Sequence, residues 1–332
     1  MRRPRPIPLI SIAVIAVALT VAVVVTVRRH RARVLSDTIS EPAPEEGPRQ
    51  HKLLPNVEGA TMVVPDRPHT AHEMRGPGRL DGVERRREFK VNTNSLGLRG
   101  PEVAVPATGY RIMCTGDSVT FGWGVEYEDS WPAQLGRELG VDTVNAAWPG
   151  ALPERMCRYA SEQARNLDVD LVVLCWGPVS GGDPLQDVIR RIRETAQAIA
   201  PIPLGWVIPP PGTFDPLGVR NAREIYPGLA DLIPGIPVFD VTPAFRAALP
   251  LPGVVGEMDG NVQRMIKLPE GTVLVEAEGA PNGVAPEIVA MFEADPSLKE
   301  PLFFDEGHPD AEGFTLFASE VAGWVRSQGW VE

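Results

Sequence analysis

Two short stretches, far apart in the chain, carry side chains that could do chemistry together. The apolar run Tyr110-Arg111-Ile112-Met113-Cys114-Thr115 leads straight into Gly116-Asp117-Ser118, and Asp305-Glu306-Gly307-His308 falls just before the last helical pattern. A serine hydroxyl attacks an acyl carbon poorly until a base takes its proton, and a carboxylate must hold that base in the right tautomer. Ser118 supplies the hydroxyl, His308 the base, and Asp305, three residues before His308, can reach the imidazole from the same side of a turn. The oxyanion that forms needs preorganised N–H donors, which a glycine-rich approach at a strand end exposes. Each stretch alone has a plain structural reading: Gly-Asp-Ser as an ordinary turn, and Asp310 as the cap of the last helix with His308 at its lip. Their order and settings favour the pairing. The other histidines, His30, His51, His69 and His72, all lie where no clean element is predicted.

To bring these groups together the chain needs a framework, and its patterning predicts one. The run at 110–115 reads as a strand. Ser130 can cap a helix with Pro132 in its first turn, Leu135 and Leu139 on one face and Gly140 at its end. A strand follows at 141–147, a helix at 152–166, and a continuous apolar run at 170–176 typical of a strand buried on both faces. Leu185, Val188, Ile189, Ile192, Ala196 and Ile199 form a helical stripe that stops at Pro201. Strands are expected at 203–208 and 236–241, and a last helix carries Phe314, Phe317, Val321 and Val325 on one face. Strands alternating with helices of this length predict an α/β fold with a parallel sheet covered on both sides. Active sites in such sheets lie at the carboxyl ends of strands, which is where Ser118 falls. Residues 250–302 break the rhythm with many Gly, Pro and acidic residues and read as an insertion near the site.

Ahead of this body the composition changes twice. Residues 1–6 are a basic tail, and 22 uncharged, mostly aliphatic residues lie between Arg5 and Arg28. At about 1.5 Å per residue they make a helix of roughly 33 Å, enough to cross a bilayer, so 7–27 is expected to be a transmembrane helix. A cleaved signal peptide is the alternative, but the apolar run is long for one and no Ala-x-Ala site follows. Residues 28–87 read as a basic juxtamembrane segment and an extended Pro-rich linker, with Glu41-Pro42-Ala43-Pro44-Glu45-Glu46-Gly47-Pro48 as its clearest stretch. Arginines flank the apolar span on both sides, so the positive-inside rule nearly cancels or leans toward a cytoplasmic body.

The charge narrows the substrates. Residues 1–33 hold seven arginines and no acid, which leaves 25 basic against 43 acidic residues in the rest. Such a body repels nucleic acid and other polyanions and suits neutral or cationic substrates. Cys114, Cys157 and Cys175 form no Cys-x-x-Cys, and a Cys114–Cys175 bridge is conceivable only if their strands are neighbours. No metal-ligand spacing stands out, and no metal or cofactor is expected. Gly122-Trp123-Gly124 is no dinucleotide fingerprint, because no third glycine opens a helix there.

These blocks resemble the SGNH/GDSL hydrolase superfamily over about residues 88–326. Gly116-Asp117-Ser118-Val119-Thr120-Phe121-Gly122-Trp123-Gly124 is similar to the family's first block, which implies Ser118 as nucleophile and its own N–H as an oxyanion donor. Asn145-Ala146-Ala147-Trp148-Pro149-Gly150 resembles the second block and implies Gly150 as a second donor. Asp305-Glu306-Gly307-His308-Pro309-Asp310, with Gly313, resembles the last and implies Asp305 and His308. The preface Asn94-Ser95-Leu96-Gly97-Leu98-Arg99 is similar to one found ahead of many bacterial members. One departure stands out: Trp176-Gly177-Pro178-Val179-Ser180-Gly181-Gly182 lacks the Asn that the family's third block supplies to the oxyanion, and Ser180 or a neighbouring N–H would have to substitute. Losing one such donor typically costs about 2.7–4 kcal/mol.

The resemblance implies a flavodoxin-like, three-layer α/β/α hydrolase domain at 88–328, with a central parallel sheet of about five strands. It also implies a serine esterase or acylhydrolase that needs no cofactor and cleaves small acyl esters of a carbohydrate or lipid. The alternatives are an O-acyltransferase acting on cell-envelope carbohydrate, or a catalytically weak binding module. Trp123, Trp148 and Ser180 could line its pocket, though buried packing explains the tryptophans equally well. Family habit places the body of a single-pass membrane member outside the cytoplasm.

Overall fold

The computed structural model describes residues 39–42, 51–65, 86–177, 185–210, 229–248, 264–268, 271–276, 302, 304 and 308–331. Five strands form the central sheet: β5 (Arg111–Gly116), β6 (Asp142–Ala147), β7 (Leu171–Cys175), β8 (Leu204–Ile208) and β9 (Val238–Asp240). They lie in the order β6-β5-β7-β8-β9, and every pair is parallel. Runs such as Leu171-Val172-Val173-Leu174-Cys175 are buried throughout because helices cover both faces.

Alternation along each strand sorts side chains between two cores. Met113, Val172, Leu174 and Trp206 face a core closed by α3 (Pro153–Gln163) and α4 (Leu185–Ile199), through Met156, Ala160, Val188 and Ile192. Ile112, Cys114, Val173 and Val207 face the other core. That core is closed by α2 (Trp131–Leu139), α5 (Thr242–Ala248) and α6 (Ala311–Ser327), through Leu135, Phe245, Phe314, Phe317, Val321 and Val325. Trp131 stacks on Phe317 at 5.1 Å and locks α2 to α6. The sheet of five parallel strands and the apolar stripes of α4 and α6 match expectation. The helix expected over 152–166 is shorter, Pro153–Gln163.

The region before the sheet differs from expectation. Within 28–87, read as basic segment and linker, β1 (Ser40–Pro42) pairs antiparallel with β2 (His51–Leu53), and β3 (Ala60–Pro65) pairs antiparallel with β4 (Arg86–Val91). Ile39, Leu53, Met62, Val64, Phe89 and Val91 are buried in the same core as α3 and α4. The local signal was there: in Thr61-Met62-Val63-Val64, Met62 and Val64 are buried while Thr61 is exposed, a period-two pattern on a very short strand. Its Pro-, Glu- and Arg-rich surroundings masked it. The globular body therefore begins well before residue 88.

Of the expected insertion at 250–302, a two-stranded antiparallel hairpin is described, β10 (Arg264–Leu268) with β11 (Gly271–Glu276). Leu302 is buried against the α2/α6 core. The apolar span at 7–27 lies outside the described residues, and among those residues no helix is long and apolar enough to cross a membrane. Cys114 and Cys175 do sit on neighbouring strands, but both are buried free thiols, two residues out of register with one another.

Candidate active site

The sheet reverses its build direction at β5, with β6 on one side and β7 on the other. A crevice opens at the carboxyl ends of strands at such a switch point. Gly116 ends β5 there, and only a residue without a Cβ fits, since one would crowd the Thr120 hydroxyl and the Cys175 carbonyl. Asp117 then caps a single helical turn, α1 (Ser118–Phe121), by accepting from the Val119 N–H at 3.0 Å. Ser118 is therefore the first residue of that turn. Its N–H is one of the orphan donors that a helix start leaves without an intrahelical acceptor.

The turn ends at Gly122, whose φ of 82° is left-handed, and the N–H groups of Gly122 and Trp123 both return to the Ser118 carbonyl, at 3.1 and 3.0 Å. From the other end of the chain, Asp310 caps α6 by accepting from the Gly313 N–H at 2.9 Å. The Asp310 N–H donates to the Leu302 carbonyl and the Phe304 N–H to the His308 carbonyl. These bonds fix the backbone that carries His308.

The two stretches meet. His308 Nε2 lies 2.8 Å from Ser118 Oγ. The Phe304 ring, 1% exposed, stacks against the imidazole with centroids 5.8 Å apart, and the Arg87 guanidinium sits 4.8 Å over that ring. Gly124 makes room for Phe304, because a Cβ there would strike the ring. Burial pushes the Asp117 carboxyl above the usual carboxylate range, while the Val119 N–H and the charge of His308 pull it back. Burial also holds the thiol of Cys175, at the end of the neighbouring strand β7, well above its ordinary range. The arrangement suits transfer of the Ser118 proton to an imidazole whose Nε2 is unprotonated.

Other expected residues fall less simply. Asp305 and Ser180 lie outside the described residues. Gly150 is exposed at a turn closed by the Ala151 N–H on the Trp148 carbonyl, and its φ of 73° after Pro149 is that of a type II turn. Trp123 is half-buried against Phe89, at 5.4 Å, and Phe121. Trp148 is packed, 4% exposed and edge-on to Tyr159, with the Arg155 guanidinium 4.3 Å above it. Among the described residues no group of three or more His, Cys, Asp or Glu could hold a metal ion. Sequence reasoning missed Phe304, which carries no chemistry of its own, and gave no role to Arg99 or Asn145.

A serine–histidine pair at the switch point of a parallel sheet of this order is suited to nucleophilic chemistry at an acyl carbon. The sequence of that same region is similar to one known family. Residues 114–254, somewhat under half of the chain, match the model of the GDSL-like lipase/acylhydrolase family. The chain is thus similar to that family across the stretch that holds Ser118 and the strands around it.

Solved structures similar to the chain include a protein described as lipolytic, of the G-D-S-L family, from Desulfitobacterium hafniense. It is 19% identical with a TM-score of 0.40, over 65% of this chain and 99% of that one. A lipase/acylhydrolase from Enterococcus faecalis is 14% identical with a TM-score of 0.41, over 66% of this chain and 97% of that one. A GDSL-like lipase from Bacteroides thetaiotaomicron is 15% identical with a TM-score of 0.37, over 66% and 88%. No curated protein matches the sequence.

Proposed function

We propose that this protein is a serine esterase that cleaves small acyl groups from a carbohydrate or lipid through an acyl-enzyme. Ser118 Oγ bonds to the acyl carbon as its proton passes to His308 Nε2, and His308 then gives that proton to the departing alcohol. Water, deprotonated by the same imidazole, attacks the acyl-enzyme, releases the acid and restores Ser118. Asp305 holds the imidazole in the tautomer this needs. The N–H groups of Ser118 and Gly150 receive the oxyanion. The observation that carries this reading is the 2.8 Å approach of His308 Nε2 to Ser118 Oγ.

The test is labelling by a fluorophosphonate together with turnover of a short-chain ester. Wild type is expected to label and turn over, and Ser118→Ala to lose labelling and about 10⁴- to 10⁶-fold in kcat. Equal turnover by the two proteins would sink the reading. An acyl-enzyme could also pass its acyl group to a sugar hydroxyl, and turnover that rises with an added acceptor sugar would mark that transferase variant. The missing Asn in the 176–182 stretch favours a second reading, a binding module of this fold with little activity. Wild type that neither labels nor turns over would support it.

A further inference from the structure

We infer that Arg99, together with Asn145, is a positioning residue for the nucleophile, bracing from behind the single helical turn that presents Ser118. The inference rests on Ser118 being the nucleophile and adds the group that holds it in place. One helical turn is not a stable unit in isolation, because ordering it fixes several dihedrals for a single hydrogen bond. Its last carbonyls also have no intrahelical partner, and buried carbonyls need donors. Here the donors come from outside the turn. Arg99 Nη1 donates to the carbonyls of Phe121 at 2.7 Å and Gly122 at 2.6 Å, and Nη2 to those of Val125 at 2.6 Å and Lys90 at 3.2 Å. Asn145 Nδ2 donates to the Thr120 carbonyl at 3.0 Å.

The link to Ser118 runs through the Phe121–Gly122 peptide unit, whose carbonyl accepts from Arg99 Nη1 and whose N–H donates to the Ser118 carbonyl. The next unit repeats the pattern: the Gly122 carbonyl also accepts from Arg99 Nη1, and the Trp123 N–H donates to the Ser118 carbonyl at 3.0 Å. Gly122 must be glycine for this: its φ is 82°, and a Cβ would lie 2.9 Å from Arg99 Nη1 and 2.6 Å from the Ser130 Cβ. The glycines around Trp123 thus admit Arg99 on one side and Phe304 on the other.

Arg99 is itself held rigidly. It is 1% exposed, its guanidinium lies 4.7 Å over the Phe121 ring and 5.7 Å from Phe89, and its backbone bridges to Asn145. Asn94 shapes the turn that delivers it, accepting the N–H groups of Leu96 and Leu98 on Oδ1 and donating Nδ2 to the Pro101 carbonyl. Burial pulls the guanidinium down to about 10, so it remains a cation at neutral pH. A planar fork is suited to this set of carbonyls, where a lysine ammonium offers only three donors from one point. Arg99 lies outside the residues that match the family model, while Asn145 lies within them.

A displacement of about 1 Å at a reacting atom can cost about 10²-fold in rate. In the full chain, Arg99→Met is therefore expected to lower kcat on a short-chain ester about 10²-fold, and Asn145→Ala about tenfold. KM should move less than about twofold, fluorophosphonate inactivation should slow in parallel, and Arg99→Lys should recover part of the loss. Amide hydrogen exchange at 118–123 should accelerate in each variant, a readout that needs no substrate. If Arg99→Met does not fold, Arg99→Lys and Asn145→Ala carry the test. Folded variants with wild-type kcat, with a loss confined to KM, or with unchanged exchange at 118–123 would each overturn the brace. Failure of the nucleophile reading looks different: wild type and Ser118→Ala would then behave alike in labelling and turnover, and the brace would fall with it.

Discussion

Asp310 illustrates how one side chain near the site serves structure. It caps α6, the helix that follows His308, and burial raises its carboxyl above the usual range, the Gly313 N–H pulling the other way. The sign follows from proton binding. A carboxyl raised in the folded state holds its proton more tightly there than in the unfolded chain. Its favourable contribution is thus fully present below the unfolded value and is lost as pH rises through the folded one. Asp310→Asn keeps a capping oxygen and removes this slope, so it should match or slightly exceed wild type in stability at neutral pH. Asp310→Ala loses the cap and should cost about 1 kcal/mol. Denaturant midpoints of the three proteins, measured between pH 4 and 7, would check both statements. The Ser118 and His308 pairing could be singled out at this scale because a nucleophile and a base would have to be particular residue types. Arg99 could not, because its partners are backbone carbonyls, which look the same for every residue.

Among the elements, the least expected is the β3–β4 hairpin. It is part of the catalytic body: Phe89 on β4 is 2% exposed, edge-on to Trp123, and close to the guanidinium that braces α1. Phe89→Ala should cost about 3–5 kcal/mol, the usual range for removing a buried aromatic ring. Chemical denaturation would measure it, and a loss below about 1 kcal/mol would show the hairpin to be dispensable packing. The sheet strands and the stripes of α4 and α6 were readable because each buries enough residues for a period to show. β1, β2 and β3 hold too few apolar residues to stand out from the prolines and charges around them.

For the whole molecule, the informative feature is how charge is spread along the chain. We propose that residues 7–27 anchor the protein in a membrane as a single pass, with the catalytic body outside the cytoplasm. The support is the uncharged run between Arg5 and Arg28. Full-length protein should sediment with membranes and a chain lacking residues 1–33 should not. A reporter enzyme active only outside the cytoplasm, fused at the C-terminus, should be active; a silent fusion with a stable product would reverse the orientation. The acidic body suits neutral or cationic esters and would repel polyanions.

The amino-acid sequence alone determined which atoms could react and the periodic framework that carries them, because residue type and hydrophobic period are local properties. Tertiary structure alone decided that Ser118 and His308 touch, that Phe304 backs the imidazole, and that a buried arginine and an asparagine bond to carbonyls of the turn that carries Ser118. Apart from Phe304 and His308, those contacts join residues 22 to 190 positions apart. Several end on main-chain oxygen atoms, so no pattern of side chains announces them.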